Sequence, residues 1–194
     1  MTIDYYNRFA EIFVKGTIDA DLSELRDRFL DHLPDGAHIL DLGCGSGRDV
    51  KAFLDKGYKV TAIDGSSACC KLAKETIGQD VLCMTFDELA FVQAFDGVWA
   101  CASLLHVPYA ELPGVFERIA ETLKTDGILY ASFKYGDFEG ERNGRYFTDL
   151  TEERLMTLFK PTHCYEIIET FVTVDVRNDR DSVKWLNVIV RKQI

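Results

Sequence analysis

No stretch of this 194-residue chain is apolar for anything near the roughly 20 residues that a membrane-spanning helix needs. The opening "MTIDYYNRFAEIF" also lacks the basic region followed by an apolar run that marks a secretory signal. The six cysteines (44, 69, 70, 83, 101 and 164) form no C-x-x-C pair and have no metal-like spacing with the four histidines. Several sit inside apolar runs, where cysteine acts as a small buried hydrophobe. Reduced thiols, no bound metal and a cytoplasmic location are therefore expected. Basic charge is short as well. Twenty-two Lys and Arg stand against 32 Asp and Glu, a net charge of −10. This disfavours a broad nucleic-acid footprint, which needs clustered cations, and tilts the expected partner towards a small molecule or a protein. A local basic pocket stays compatible with it.

What is present describes a globular chain: 47% hydrophobic and 28% charged residues. No repeat, low-complexity tract or linker divides it, so one domain over 1–194 is expected, with 1–33 as a helical cap. Residues 2–15 fit a short aromatic helix with Tyr6, Phe9 and Phe13 near one face. Leu22, Leu25, Phe29, Leu30 and Leu33 give a second helix, ended by Pro34-Asp35-Gly36. Strands and helices then alternate. "AHILDL", "YKVTAI", "VLCM", "GVWACA" and "GILYASF" are strands, and between the last two Leu112, Val115, Phe116, Ile119 and Leu123 mark an amphipathic helix. Such alternation predicts a parallel sheet covered on both faces. After a helix at about 151–159, "IIETFVTVDVR" and "VKWLNVIVRK" flank the polar turn "NDRDS" too closely for a parallel crossover, so they should pair antiparallel.

The most informative segment is "HILDLGCGSGRD", residues 38–49, where Gly43, Gly45 and Gly47 follow a buried strand at alternate positions. Glycine there permits positive φ and close approach of a ligand, and the next helix offers free amides to an anion. The spacing is not G-x-G-x-x-G, because Arg48 takes the third glycine's place, and no Gly-Lys-Ser/Thr follows. The pattern Asp41-x-Gly43-x-Gly45-x-Gly47 resembles the first motif of class I S-adenosylmethionine-dependent methyltransferases. "VTAIDGSS", "MTFDEL", "FDGVWACASLLHVP" and "LKTDGILYASF" resemble that family's later motifs in order, over about residues 36–135. Small bacterial methyltransferases, including those grouped with tellurite-resistance enzymes, look most similar. The fourth motif lacks Asn-Pro-Pro-Tyr, which makes amide or base nitrogens unexpected acceptors.

The resemblance implies an α/β Rossmann-like three-layer αβα sandwich, with a mostly parallel seven-stranded sheet and a C-terminal antiparallel hairpin. It implies S-adenosyl-L-methionine as cofactor and in-line methyl transfer to a small-molecule acceptor. The implied cofactor-binding residues are Tyr6, Asp41, Gly43, Cys44, Gly45, Arg48, Asp64, Gly65, Ser66, Phe86, Asp87 and Cys101. Asp64 would accept the ribose hydroxyls, with a helix N-cap role as its alternative. Asp87 would meet the adenine amino group or else cap the short helix carrying Leu89. Arg48 in a helix's first turn opposes the macrodipole and needs a partner: Asp49, Asp41 or the cofactor carboxylate. His106, behind the fourth strand, is the candidate catalytic base, or a local capping and packing residue. Residues 134–150, with Lys134, Arg142, Arg145 and aromatics, suit a mobile substrate loop. An NAD-dependent oxidoreductase and a non-catalytic cofactor-binding regulator are the rival readings.

Overall fold

The computed structural model describes residues 2–160, 164–177, 180 and 182–193. Helices α1 (Thr2–Lys15) and α2 (Ser23–Leu30) precede the alternating part. That part runs β1 (His38–Leu42), α3 (Arg48–Asp55), β2 (Lys59–Asp64), α4 (Ser67–Ile77), β3 (Val81–Cys83), β4 (Phe95–Ala100), α5 (Leu112–Thr122) and β5 (Leu123–Lys134). A short hairpin of β6 (Glu139–Arg142) and β7 (Arg145–Thr148), then α6 (Glu152–Phe159), β8 (Tyr165–Val174) and β9 (Lys184–Lys192), complete it.

The main sheet has seven strands in the order β3-β2-β1-β4-β5-β9-β8. The first five pair in parallel, and β9 runs antiparallel to both β5 and β8. The expected mixed sheet, with one reversed strand, is what forms. Asn178, Asp179 and Asp181 of the expected turn lie outside the described residues.

Side chains alternate across the strands and so divide the core. Leu40, Leu42, Val98, Leu129 and Ala131 pack with Leu112, Phe116 and Ile119 of α5 and with Leu155 and Leu158 of α6. Ile39, Trp99, Ile128, Tyr130 and Ile189 pack on the other face against Leu25 and Phe29 of α2 and Phe53 of α3. Trp99 and Tyr130 stack with centroids 4.0 Å apart. Asp41 has the parity of Ile39, which directs it towards α3.

Two local expectations are corrected. Leu123 begins β5 rather than ending α5: it pairs with Phe95, and Asp126 at φ 60 turns the chain into the strand proper. The segment expected to be a mobile loop contains a hydrogen-bonded hairpin. Asn143 and Gly144 both have positive φ (51 and 76), the conformation of a tight two-residue hairpin turn, and Arg142 pairs with Arg145 across it.

The sheet order reverses between β1 and β4, since β1 leads outward to β2 and β4 leads the other way to β5. Doubly wound sheets open a crevice at the carboxyl ends of strands at such a switch point.

Candidate functional site

A cavity of about 910 Å³ occupies that position. It lies within the range of roughly 300–1,000 Å³ common for small-molecule sites. Every residue nominated from the sequence lines it, from Tyr6 to His106. The carboxyl ends of β1 and β2 and the segments after β3 and β4 form its floor and walls; α1 forms its cover.

The chain leaves β1 through Gly43 and Gly45, at φ +88 and +55. A Cβ on Gly43 would stand 2.5 Å from that of Ser103, and one on Gly45 would stand 3.0 Å from the Phe13 ring. The glycines thus keep the loop narrow between the β4 segment and α1. The amides of Gly43 and Cys44 donate to the Ile63 carbonyl, which ties the loop to β2.

Asp64, at the tip of β2, accepts the Gly45 N–H at 2.9 Å and the Ser66 N–H at 2.8 Å. Burial raises its pKa, and those two donors oppose the rise. The cap of α4 is Ser66, whose Oγ accepts from the Cys69 amide, so the N-cap alternative for Asp64 gives way. Asp87 also escapes a capping role. Thr85 and Glu88 cap that turn reciprocally, and Asp87 points to no hydrogen-bond or ion-pair partner among the described residues. Phe86 stands beside it on the cavity wall.

Beneath the glycine loop lies a buried charge network. Arg48 donates from Nε and a terminal nitrogen to Asp49 at 3.0 and 2.7 Å, and to the Thr17 carbonyl at 3.2 Å. Of the two expected partners within the chain, Asp49 and Asp41, Asp49 is the one engaged. Burial works against the Arg48 charge, but the hydrogen bonds and charge of Asp49 outweigh it and raise the pKa. Asp49 also receives Arg26 at 2.7 Å and the Trp99 indole N–H at 3.0 Å. Asp49 was not nominated from the sequence; only its adjacency to Arg48 hinted at it.

Asp41 is 3% exposed, and its Oδ2 has no hydrogen-bond partner among the described residues. Burial, and then the charge of Asp49, pushes its pKa up. A buried carboxylate oxygen left bare is costly, and cavity-facing examples mark a place for a donor. Cys44 is a buried thiol and Cys101 a partly buried one, and desolvation lifts Cys101 to about 12. They contribute shape rather than nucleophilicity.

Helix α1 is fastened to both banks of the cavity. Asn7 Oδ1 accepts from the Ser66 hydroxyl at 2.8 Å, and Ile3 covers Gly65. On the far bank, Thr2 Oγ accepts the Tyr146 amide at 3.0 Å. There Tyr6 meets His106 at 2.9 Å between Oη and Nε2. His106 Nδ1 lies 2.6 Å from the Tyr146 carbonyl, which can only accept. Nδ1 therefore carries the proton, and Nε2 accepts from the Tyr6 hydroxyl. Burial, with Arg145 and Lys134 nearby, pulls the His106 pKa down to about 4 against the opposing Tyr146 contact.

Residues 39–127 match a family model described as a methyltransferase domain. The chain is 30% identical over 166 residues to an uncharacterized methyltransferase of Staphylococcus carnosus, spanning 75% of this chain and 80% of that one. It is 33% identical over 106 residues to a ubiquinone biosynthesis O-methyltransferase of Xanthomonas axonopodis pv. citri, across 51% of this chain and only 44% of that relative. Among solved structures, the 1,6-didemethyltoxoflavin-N1-methyltransferase of Burkholderia thailandensis, solved with bound 1,6-didemethyltoxoflavin and S-adenosylhomocysteine, superposes with a TM-score of 0.73. That match covers 100% of this chain and 91% of the other at 23% identity, and it speaks to the fold. Sequence kinship and architecture agree, and the chain belongs to the class I S-adenosylmethionine-dependent methyltransferases.

Proposed function

We propose that the cavity binds S-adenosylmethionine with its amino-acid end against Asp41 and the Gly43–Gly45 loop and its ribose at Asp64, and that the acceptor is a small molecule. The observation that carries this reading is the bare, buried Oδ2 of Asp41 beside a loop that Gly43 and Gly45 keep narrow. An ammonium group supplies the donors and the charge that this oxygen lacks. Arg48 and Asp49 stay locked together below and fix the loop rather than gripping the ligand. Asp64 keeps lone pairs for a diol while its amide donors hold it in place. Asp87 and Phe86 suit the polar edge and the face of an adenine.

When bound, the cofactor would supply a methyl group activated by its sulfonium, for transfer in line to the acceptor with the thioether as leaving group. The chain's task is then orientation and exclusion of water, worth about 7–11 kcal/mol in favourable cases. Helix α1 performs the exclusion, latched through Tyr6. We assign His106 to that latch in place of the base expected from sequence: its free lone pair is already used, and a group titrating near 4 takes up protons poorly at neutral pH.

Thermal denaturation with saturating S-adenosylhomocysteine or NAD tests the reading. A ligand at 100 times its dissociation constant stabilises the folded state by about 2.7 kcal/mol. S-adenosylhomocysteine should raise the midpoint by several degrees and NAD should not; the reverse order restores the oxidoreductase alternative.

A further inference from the structure

We propose that the acceptor carries an oxyanion, a carboxylate or a phosphate, which Lys134 and Arg145 hold in the half of the cavity beyond the cofactor. This rests on the methyltransferase reading above and adds the class of molecule that is methylated.

The observation is a concentration of positive charge in a strongly acidic protein. Lys134 ends β5 and Arg145 begins β7, and both line the cavity. The Lys134 ammonium lies 5.0 Å from the centre of the Phe147 ring, and the Arg145 guanidinium lies 5.1 Å from the same ring. Arg145 is also held 4.6 Å from the Tyr5 ring. These aromatic contacts fix the cations in place without consuming their hydrogen-bond donors.

Neither cation has a carboxylate within ion-pair distance among the described residues. The neighbouring acids are already committed. Asp149 pairs with Arg142, while Asp175 takes Arg177 and the Trp185 indole. Arg180 adds a further cation on the cavity wall; Glu111 is an exposed acid at the rim. Among the described residues, the only polar contact of the Arg145 guanidinium is a long one, 3.4 Å to the Tyr6 hydroxyl, and its buried Nε has no partner. Burial and the three arginines together push the Lys134 ammonium pKa down, against Asp149. An arriving oxyanion would relieve that crowding, accept the unused N–H groups and restore the charge balance.

The test measures methyl transfer from labelled S-adenosylmethionine to small metabolites grouped as carboxylates, phosphates, neutral molecules and amines. Calorimetry with S-adenosylhomocysteine runs alongside. The proposal expects the best acceptor among the carboxylates or phosphates, whichever of the two arms responds. For that acceptor, Lys134→Gln should raise KM by about tenfold or more, the range for losing a hydrogen bond to a charged group. Its kcat and the S-adenosylhomocysteine affinity should change less than about threefold, and Lys134→Arg should recover most of the loss. A best acceptor that is neutral or cationic, no methylation of any anion, or an unchanged KM in Lys134→Gln overturns the proposal while retained S-adenosylhomocysteine binding leaves the cofactor site standing. Absence of S-adenosylhomocysteine binding in the unmodified protein overturns both.

Discussion

The hydroxyl of Tyr6, on the first helix, donates to Nε2 of His106 at the far bank of the cavity, 2.9 Å away. Because the Tyr146 carbonyl fixes the proton on Nδ1, the imidazole has one lone pair, and Tyr6 occupies it. The pair joins the cover of the cavity to its wall. A neutral hydrogen bond of this kind contributes about 0.5–1.5 kcal/mol. Tyr6→Phe is thus expected to weaken S-adenosylhomocysteine two- to tenfold, chiefly through faster dissociation, by stopped-flow measurement. An unchanged off-rate would separate the latch from ligand retention.

The same histidine sets a pH dependence. Its folded pKa is about 4 against an ordinary 6.5. Between those values the unfolded chain binds a proton that the folded chain does not, so stability falls as the pH drops through this window. The difference amounts to about 3 kcal/mol. Urea denaturation from pH 7 to 4 should show a shallower acid loss in His106→Gln than in the parent; equal slopes would mean that His106 titrates normally when folded.

Asp41 should trade stability for binding. Asp41→Asn removes a buried carboxyl crowded by Asp49 and keeps the shape. We expect a melting temperature equal to or above that of the parent, and S-adenosylhomocysteine binding weakened by about 1.5–3 kcal/mol. Binding at parental strength would remove Asp41 from the site.

Much of this was legible in the sequence, for identifiable reasons. The strand carrying Val98 reads as the apolar run "GVWACA" because both of its faces are covered, and the glycine spacing after β1 reports a turn that other residues rarely adopt. The β6–β7 hairpin was missed because its four-residue strands mix Glu and Arg with aromatics, although Asn143-Gly144 is a hairpin signal in its own right. Tyr6 and His106 lie a hundred positions apart, and no local pattern announces their contact. The bareness of Asp41 is likewise a property of three-dimensional surroundings. Arg48 shows the intermediate case: its need for a partner was readable, and the fold pairs it with Asp49 rather than Asp41.

Asp64→Ala leaves the Gly45 and Ser66 amides without their acceptor as well as removing the ribose contact. Affinity for S-adenosylhomocysteine should fall by about 1.5–3 kcal/mol. Adenosine, which keeps the ribose but lacks the amino-acid end, should lose a comparable amount; parental affinity for both would argue against the ribose assignment.

Gly45→Val places a branched side chain at φ +55 and against the Phe13 ring. Calorimetry should detect no S-adenosylhomocysteine binding, while circular dichroism shows the sheet retained. Binding within threefold of the parent would contradict the cradle.

A crystal structure of the protein soaked with S-adenosylhomocysteine bears most directly on the central claim. The ligand's ammonium should lie within hydrogen-bond distance of Asp41 Oδ2, its ribose at Asp64, and its sulfur facing the side of the cavity that holds Lys134 and Arg145. Density for the ligand in another part of the molecule, or with its ends reversed between Asp41 and Asp64, would contradict the account.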